Sequence, residues 1–156
     1  IGNFKPASAE LFLANIAKMV RPGGGLLIGV DLKKSPAILD AAYNDDQGIT
    51  AEFNKNLLKR INDELDADFD LNNFRHHAFY NDEQGRIDMH LVSTVNQKVN
   101  VNNESFGFSA GESIHTENSY KYTVEEFQEL TRSAGFTPVK VWVDADSLFS
   151  VHYCTV

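Results

Sequence analysis

A layered α/β fold is expected from three features of the chain. A helical pattern passes through a glycine turn into an apolar strand. A middle stretch then changes to a two-residue hydrophobic period, and a capped helix near the end is followed by two closely spaced strands.

Ser8 as N-cap and Glu10 in the first turn open a helix over about residues 9–20, with Phe12, Ile16, Met19 and Val20 on one face and Pro22 as its stop. Gly23-Gly24-Gly25 turns the chain into the strand Leu26 to Asp31, apolar at almost every position and so expected to be covered on both faces. The glycines follow a helix and precede a strand, the reverse of a phosphate cradle, and read as a helix cap and turn. Lys33-Lys34 reads as a solvated loop start.

A short helix through Ile38 to Tyr43 precedes a longer one capped by Thr50. Phe53, Leu57, Leu58, Ile61 and Leu65 form its inner face, and Glu52, Lys55, Lys59, Arg60, Asp63 and Glu64 face water. The alternating stretches His77–Tyr80, Ile87–Leu91, Val99–Val101 and Phe106–Phe108 read as antiparallel strands. Gly111 to Tyr122 mixes acid, amide, hydroxyl and phenol side chains, a composition that core packing does not require, and reads as a recognition loop. Thr123-Val124-Glu125-Glu126 is a capping box, opening a helix with Phe127, Leu130 and Ala134 inward and Gly135 as its stop. Pro138–Val143 and Leu148–Tyr153 follow as an antiparallel pair.

The chain has 156 residues, 42% of them hydrophobic, enough for one or two packed units, with no repeat or low-complexity tract. A net charge of −8 with scattered lysines and arginines argues against a nucleic-acid partner. No apolar run has the length of a membrane span and no signal-peptide pattern is present, so no membrane partner and a cytoplasmic address are expected. Cys154, the single cysteine, reads as a small buried hydrophobe. Asp66-Ala67-Asp68-Phe69-Asp70 begins like a calcium loop, but Leu71 stands where glycine is needed and His77 where a bidentate glutamate is needed. The five histidines have no metal-ligand spacing, and no metal is expected.

Arg21-Pro22-Gly23-Gly24 between helix and strand, with Ala134-Gly135-Phe136 before a final antiparallel pair, resembles the C-terminal half of a Rossmann-like S-adenosylmethionine-dependent methyltransferase. Five further stretches resemble the histidine-specific methyltransferase family: Ile1-Gly2-Asn3-Phe4, Ala42-Tyr43-Asn44-Asp45, Gly48 to Asn54, Arg86 to Leu91, and Gly111 to Tyr122. They lie in the family's order and cover nearly the whole chain. The resemblance implies the C-terminal half of a methyltransferase core over residues 1–32 and 124–156, with a β-rich substrate-binding insertion over 33–123.

It also implies that Asn3 and Tyr43 hold the backbone of an amino-acid substrate, that Glu117 and Ser119 read an imidazole, and that Met89 forms a pocket wall. S-adenosyl-L-methionine is the implied methyl donor. The glycine-rich cofactor loop and the acidic ribose ligand are expected upstream of Ile1, which makes the chain a fragment expected to be inactive alone, part of a monomeric enzyme of ergothioneine biosynthesis. The residues by themselves leave other readings open. Met89 suits an ordinary core position, and Glu117 and Ser119 suit a solvated turn. The acceptor could be another small amine, or the chain a non-catalytic α/β binding module.

Overall fold

The computed structural model describes residues 1–156 as two compact units. The first comprises 1–36, 81–87 and 118–156; the second comprises 37–80 and 88–117. The elements in order are α1 (Pro6–Val20), β1 (Gly25–Asp31), α2 (Pro36–Tyr43), α3 (Ile49–Leu65), a 3-10 turn (Leu71–Asn73), β2 (Phe74–Asn81), β3 (Arg86–Ser93), β4 (Gln97–Val101), β5 (Glu104–Phe108), β6 (Ser113–Tyr120), α4 (Val124–Ser133), β7 (Thr137–Val143) and β8 (Phe149–Thr155).

In the first unit a three-stranded antiparallel sheet runs in the order β1-β8-β7. Register pairs Leu26 with Cys154, Ile28 with His152 and Val30 with Ser150. Both helices of the unit pack on the face these residues share: Leu13 and Ala17 of α1 and Leu130 of α4 meet Leu26, Ile28, Phe136 and Cys154. Phe127, fully buried, adds a second cluster with Val30, Tyr120 and Tyr122. Burial of such an aromatic ring contributes roughly 2–3 kcal/mol. Cys154 is buried as expected, and burial pushes its thiol pKa up.

Coverage of β1 on both faces is not what the structure has. Its outer face shows Leu27 at 64% exposure, because α1 and α4 lie on the same side of the sheet. On that outer face the ring of Phe149 lies against Gly29, where an added Cβ would come within 2.7 Å of it.

Helix α1 begins at Pro6, with Pro in its first turn and Lys5 at the cap, so Ser8 is not the N-cap. Its buried residues are Ala9, Leu13 and Ala17, whereas Met19 is 78% exposed. This i, i+4, i+8 stripe is the most deeply buried, Ile16 and Val20 flank it partly buried against the same core as expected, and Phe12 and Met19 are exposed. Arg21, at positive φ, caps the helix end, and the glycines make the turn that follows. The capping box of α4 forms as expected: Glu126 N donates to Thr123 Oγ1 at 3.1 Å and Thr123 N to Glu126 Oε2 at 2.8 Å.

In the second unit, α3 packs Leu58 against Phe69, Phe74, Leu91 and Val99. Phe53 and Leu65, expected inward, are 66% and 53% exposed, and Asn54 is buried instead. The helix is entered through Asp45 rather than Thr50, since the Asp45 carboxylate accepts from Ile49 N at 2.9 Å and Thr50 N at 2.8 Å. Those bonds hold the Asp45 carboxyl down at about 2. The acid cluster has structural partners: Asp68 accepts from Asn100 N and Nδ2, both at 2.7 Å, and Asp70 from Asn72 N at 3.0 Å. Strands β4 and β5 form an antiparallel hairpin, and β2-β3-β6 is a three-stranded sheet with β3 in the middle.

The stretch read as a recognition loop is therefore mostly strand β6. Its polar composition hid a strand that pairs along β3, where backbone hydrogen bonds are satisfied whatever the side chains. No helix is long and apolar enough to cross a membrane.

Candidate functional site

In the second unit, Glu117 lies near the end of β6, half-buried, and lines a recess of about 200 Å³ with Thr116 and with Phe53, Asn54, Leu57 and Arg60 of α3. The Glu117 carbonyl is held by His115 Nε2 at 3.1 Å, and that same nitrogen lies 3.5 Å from the carboxylate of the buried Asp88. The His115 ring stacks on His90, centroids 4.7 Å apart, and His90 on Phe79 at 5.8 Å. The backbone that carries Glu117 is thus clamped from the neighbouring strand.

Met89, 2% exposed, sits on β3 two residues before Leu91, which belongs to the apolar core. Its carbonyl accepts from Thr116 Oγ1 at 3.0 Å. Met89 and Tyr43 do not line the recess that holds Glu117.

Tyr43, the last residue of α2, is half-buried and is placed by a relay that sequence reasoning missed. Its carbonyl lies 2.8 Å from His76 Nε2, and His76 Nδ1 lies 3.0 Å from Asn54 Nδ2. A carbonyl can only accept, so the His76 proton is on Nε2 and Nδ1 accepts the Asn54 amide proton. Asn54, 4% exposed, also donates to the His90 carbonyl at 3.2 Å. Beside it, Asn44 Nδ2 donates to Ala78 O at 3.0 Å, and Asp40 Oδ1 accepts from Tyr80 N at 2.8 Å. One signal was legible: Asn54 stands four residues before Leu58 on the buried stripe of α3, where an apolar residue is the default.

The first unit holds the other two predicted residues. Gly2 O accepts from Tyr120 N at 2.8 Å, and a Cβ on Gly2 would lie 3.6 Å from Ser119 Oγ, so the segment carrying the exposed Asn3 runs beside Ser119. Ser119 is 8% exposed. Its Oγ accepts at 2.9 Å from Lys121 Nζ, whose residue is 2% exposed. Lys121 is paired with Asp31 Oδ2 at 2.6 Å, and Asp31 also pairs with Lys34. Burial pushes the Asp31 carboxyl up, but the two lysines outweigh it and hold its pKa below the usual value. Lys34 is therefore no solvated loop residue. It bonds Asp31 and donates to Leu148 O at 2.8 Å, tying the end of β1 to the approach to β8. Lys33 is ion-paired with Glu126.

The model of a family described as histidine-specific, S-adenosylmethionine-dependent methyltransferase matches residues 1–156. The chain belongs to that family. It is 40% identical over 146 residues to a histidine N-alpha-methyltransferase of Mycobacterium tuberculosis, covering 92% of this chain and 46% of that protein. It is 33% identical over 156 residues to ergothioneine biosynthesis protein 1 of Neurospora crassa, covering 91% of this chain and 16% of that protein. An L-tryptophan methyltransferase of Psilocybe serbica is 28% identical over 151 residues, covering 92% and 41%. The chain spans about half the length, or less, of the curated relatives it matches.

This family uses S-adenosylmethionine as methyl donor. The glycine turn of this chain does not fit that group. Gly23 N donates to Val156 O and Gly24 N to Arg21 O, and a Cβ on Gly24 would fall 2.3 Å from the Val20 carbonyl. The amides are spent on the turn and the space is filled by α1, so no donor set for the cofactor is present there.

Proposed function

We propose that the full-length protein methylates the α-amino group of L-histidine with S-adenosylmethionine as donor, and that this chain supplies most of the acceptor side. Support comes first from family membership, and within the chain from Glu117, a half-buried carboxylate at a recess two residues before the buried hydroxyl of Ser119. In this reading the i, i+2 spacing of the acid and the hydroxyl suits a planar ring with one donor and one acceptor. Glu117 accepts the imidazole N–H, and Ser119 gives its proton to the other ring nitrogen. A substrate without that N–H leaves a carboxylate desolvated and unpaired, so selectivity of ~10⁴ is within reach of such a site.

At the other end of the substrate, the Asn3 amide oxygen accepts from the neutral amine and aims its lone pair, and the Tyr43 phenol donates to the carboxylate. The family resemblance assigns Met89 as an apolar wall for the ring, although it does not line the recess that holds Glu117. The cofactor supplies the electrophilic methyl group, so these residues need only bind, orient and exclude water. In this reading residues 33–123 are the substrate-binding insertion, and residues 1–32 with 124–156 belong to the core that carries it.

A second acceptor class is supported by the similarity to the tryptophan methyltransferase. Incubating the full-length protein with labelled donor and single amino acids separates the two. Methylated histidine is the expected product. Labelled tryptophan with unlabelled histidine would overturn the assignment.

A further inference from the structure

We propose that Lys121 is a positioning residue that sets Ser119 as a hydrogen-bond donor, and so makes the site demand a ring nitrogen with a lone pair. The inference rests on the reading above that Ser119 meets the imidazole.

Its basis lies wholly within the first unit. Lys121 Nζ is 2.9 Å from Ser119 Oγ. An ammonium has three donors and no acceptor, so in this contact the serine oxygen is the acceptor. The hydroxyl dipole turns its positive end away from the cation, and the Ser119 proton is therefore directed outward from Nζ. A serine without such a neighbour rotates freely between donating and accepting, and discriminates poorly between a ring N–H and a ring lone pair.

The cation is built in rather than incidental. The side chain of Lys121 is 1% exposed, a position where a lysine is rarely found unless paired. Its charge is met by Asp31 Oδ2 at 2.6 Å, and Lys34 grips the other oxygen of that carboxylate. Asp31 ends β1, whose register with β8 is continuous from Gly25 to Asp31, so the carboxylate stands on a rigid element. A buried ion pair seldom adds stability over apolar packing. Its position beside a proposed substrate hydroxyl fits a role in fixing that hydroxyl's direction.

The test uses the full-length protein, isothermal titration with L-histidine, and a pyrrolylalanine that keeps a ring N–H but lacks the ring acceptor. Lys121→Met is expected to weaken histidine about tenfold and leave the pyrrole analogue unchanged. In a Ser119→Ala background, Lys121→Met is expected to have no further effect on histidine, because its influence passes through the hydroxyl. Equal weakening of both ligands, or an additive loss in the Ser119→Ala background, would assign Lys121 a merely structural role and overturn the inference. Should Lys121→Met not fold, Lys121→Gln, whose amide oxygen adds an acceptor that lets the Ser119 hydroxyl turn, is measured against the same two ligands, with the same loss confined to histidine expected. If Ser119→Ala leaves histidine affinity intact, the reading of Ser119 itself fails. If Ser119→Ala weakens histidine and Lys121→Met does not, only the role of Lys121 fails.

Discussion

The two units use polar side chains differently. In the first, α1 and α4 rest on one face of an antiparallel sheet through Leu13, Ala17, Phe127 and Leu130, α4 opens on a local capping box, and the buried polar contacts centre on charges, Lys121 and Lys34 on Asp31. In the second, a core of Leu58, Phe69, Phe74, Leu91 and Val99 is supplemented by neutral or acidic side chains that bond to distant backbone: Asp40 to Tyr80, Asn44 to Ala78, and Asn54 to His90. Apolar packing tolerates changes of shape at constant volume. A buried amide with two partners tolerates very little, since removing it strands both. Tyr43, Met89 and Glu117 belong to the second kind of structure, where placement depends on single polar atoms.

The largest expected effect is on that polar side. Glu117→Ala in the full-length protein is expected to weaken histidine about 100-fold, since one hydrogen bond to a charged group is worth up to about 3 kcal/mol, and to improve relative binding of flat apolar amino acids. Calorimetry giving an unchanged histidine affinity would refute the role of this carboxylate.

Next comes a direct contrast between the units. Asn54→Leu conserves volume but strands His76 Nδ1 and the His90 carbonyl, and is expected to cost about 2 kcal/mol. Leu13→Met, an equally conservative swap in the first unit, is expected to cost less than about 1.5 kcal/mol. Urea unfolding of both variants measures the difference, and equal costs would erase the contrast between the units.

The smallest effect is one of pH. His152, 1% exposed with Ser150 Oγ at 3.0 Å from its Nε2, has its pKa lowered by burial. The unfolded chain therefore takes up this proton at a higher pH than the folded one. The stabilisation is complete above the ordinary imidazole value of about 6.5 and is lost as pH falls through the lowered folded value, at no more than about 1.4 kcal/mol per pH unit. His152→Leu is expected to flatten that part of the acid limb in thermal melts. A variant whose melting temperature falls as steeply as the parent's below pH 6.5 would show that this histidine is not the cause.

Local rules were enough for the α/β class, the order of helices, the capping box at Thr123 and the terminal strand pair, because each depends on residues only a few positions apart. The same rules misread part of α1, where Ile16 and Val20 reach the core but Phe12 and Met19 are exposed and an Ala-Leu-Ala stripe is buried, and β6, where a polar composition suggested a loop. Both errors arise because burial and strand pairing are settled by residues far away in the chain. Motif order along the chain was sufficient to point to the family, and with it to Asn3, Tyr43, Met89, Glu117 and Ser119 as site candidates.

Tertiary structure alone decided which polar groups hold the candidates in place. The His76 bond to the Tyr43 carbonyl joins residues 33 apart in sequence, and the Asp31 bond to Lys121 joins residues 90 apart. No periodicity or spacing encodes such contacts, since a hydrogen bond depends on where two atoms meet after the chain has folded, and side chains of the same type serve elsewhere in this protein as ordinary surface residues.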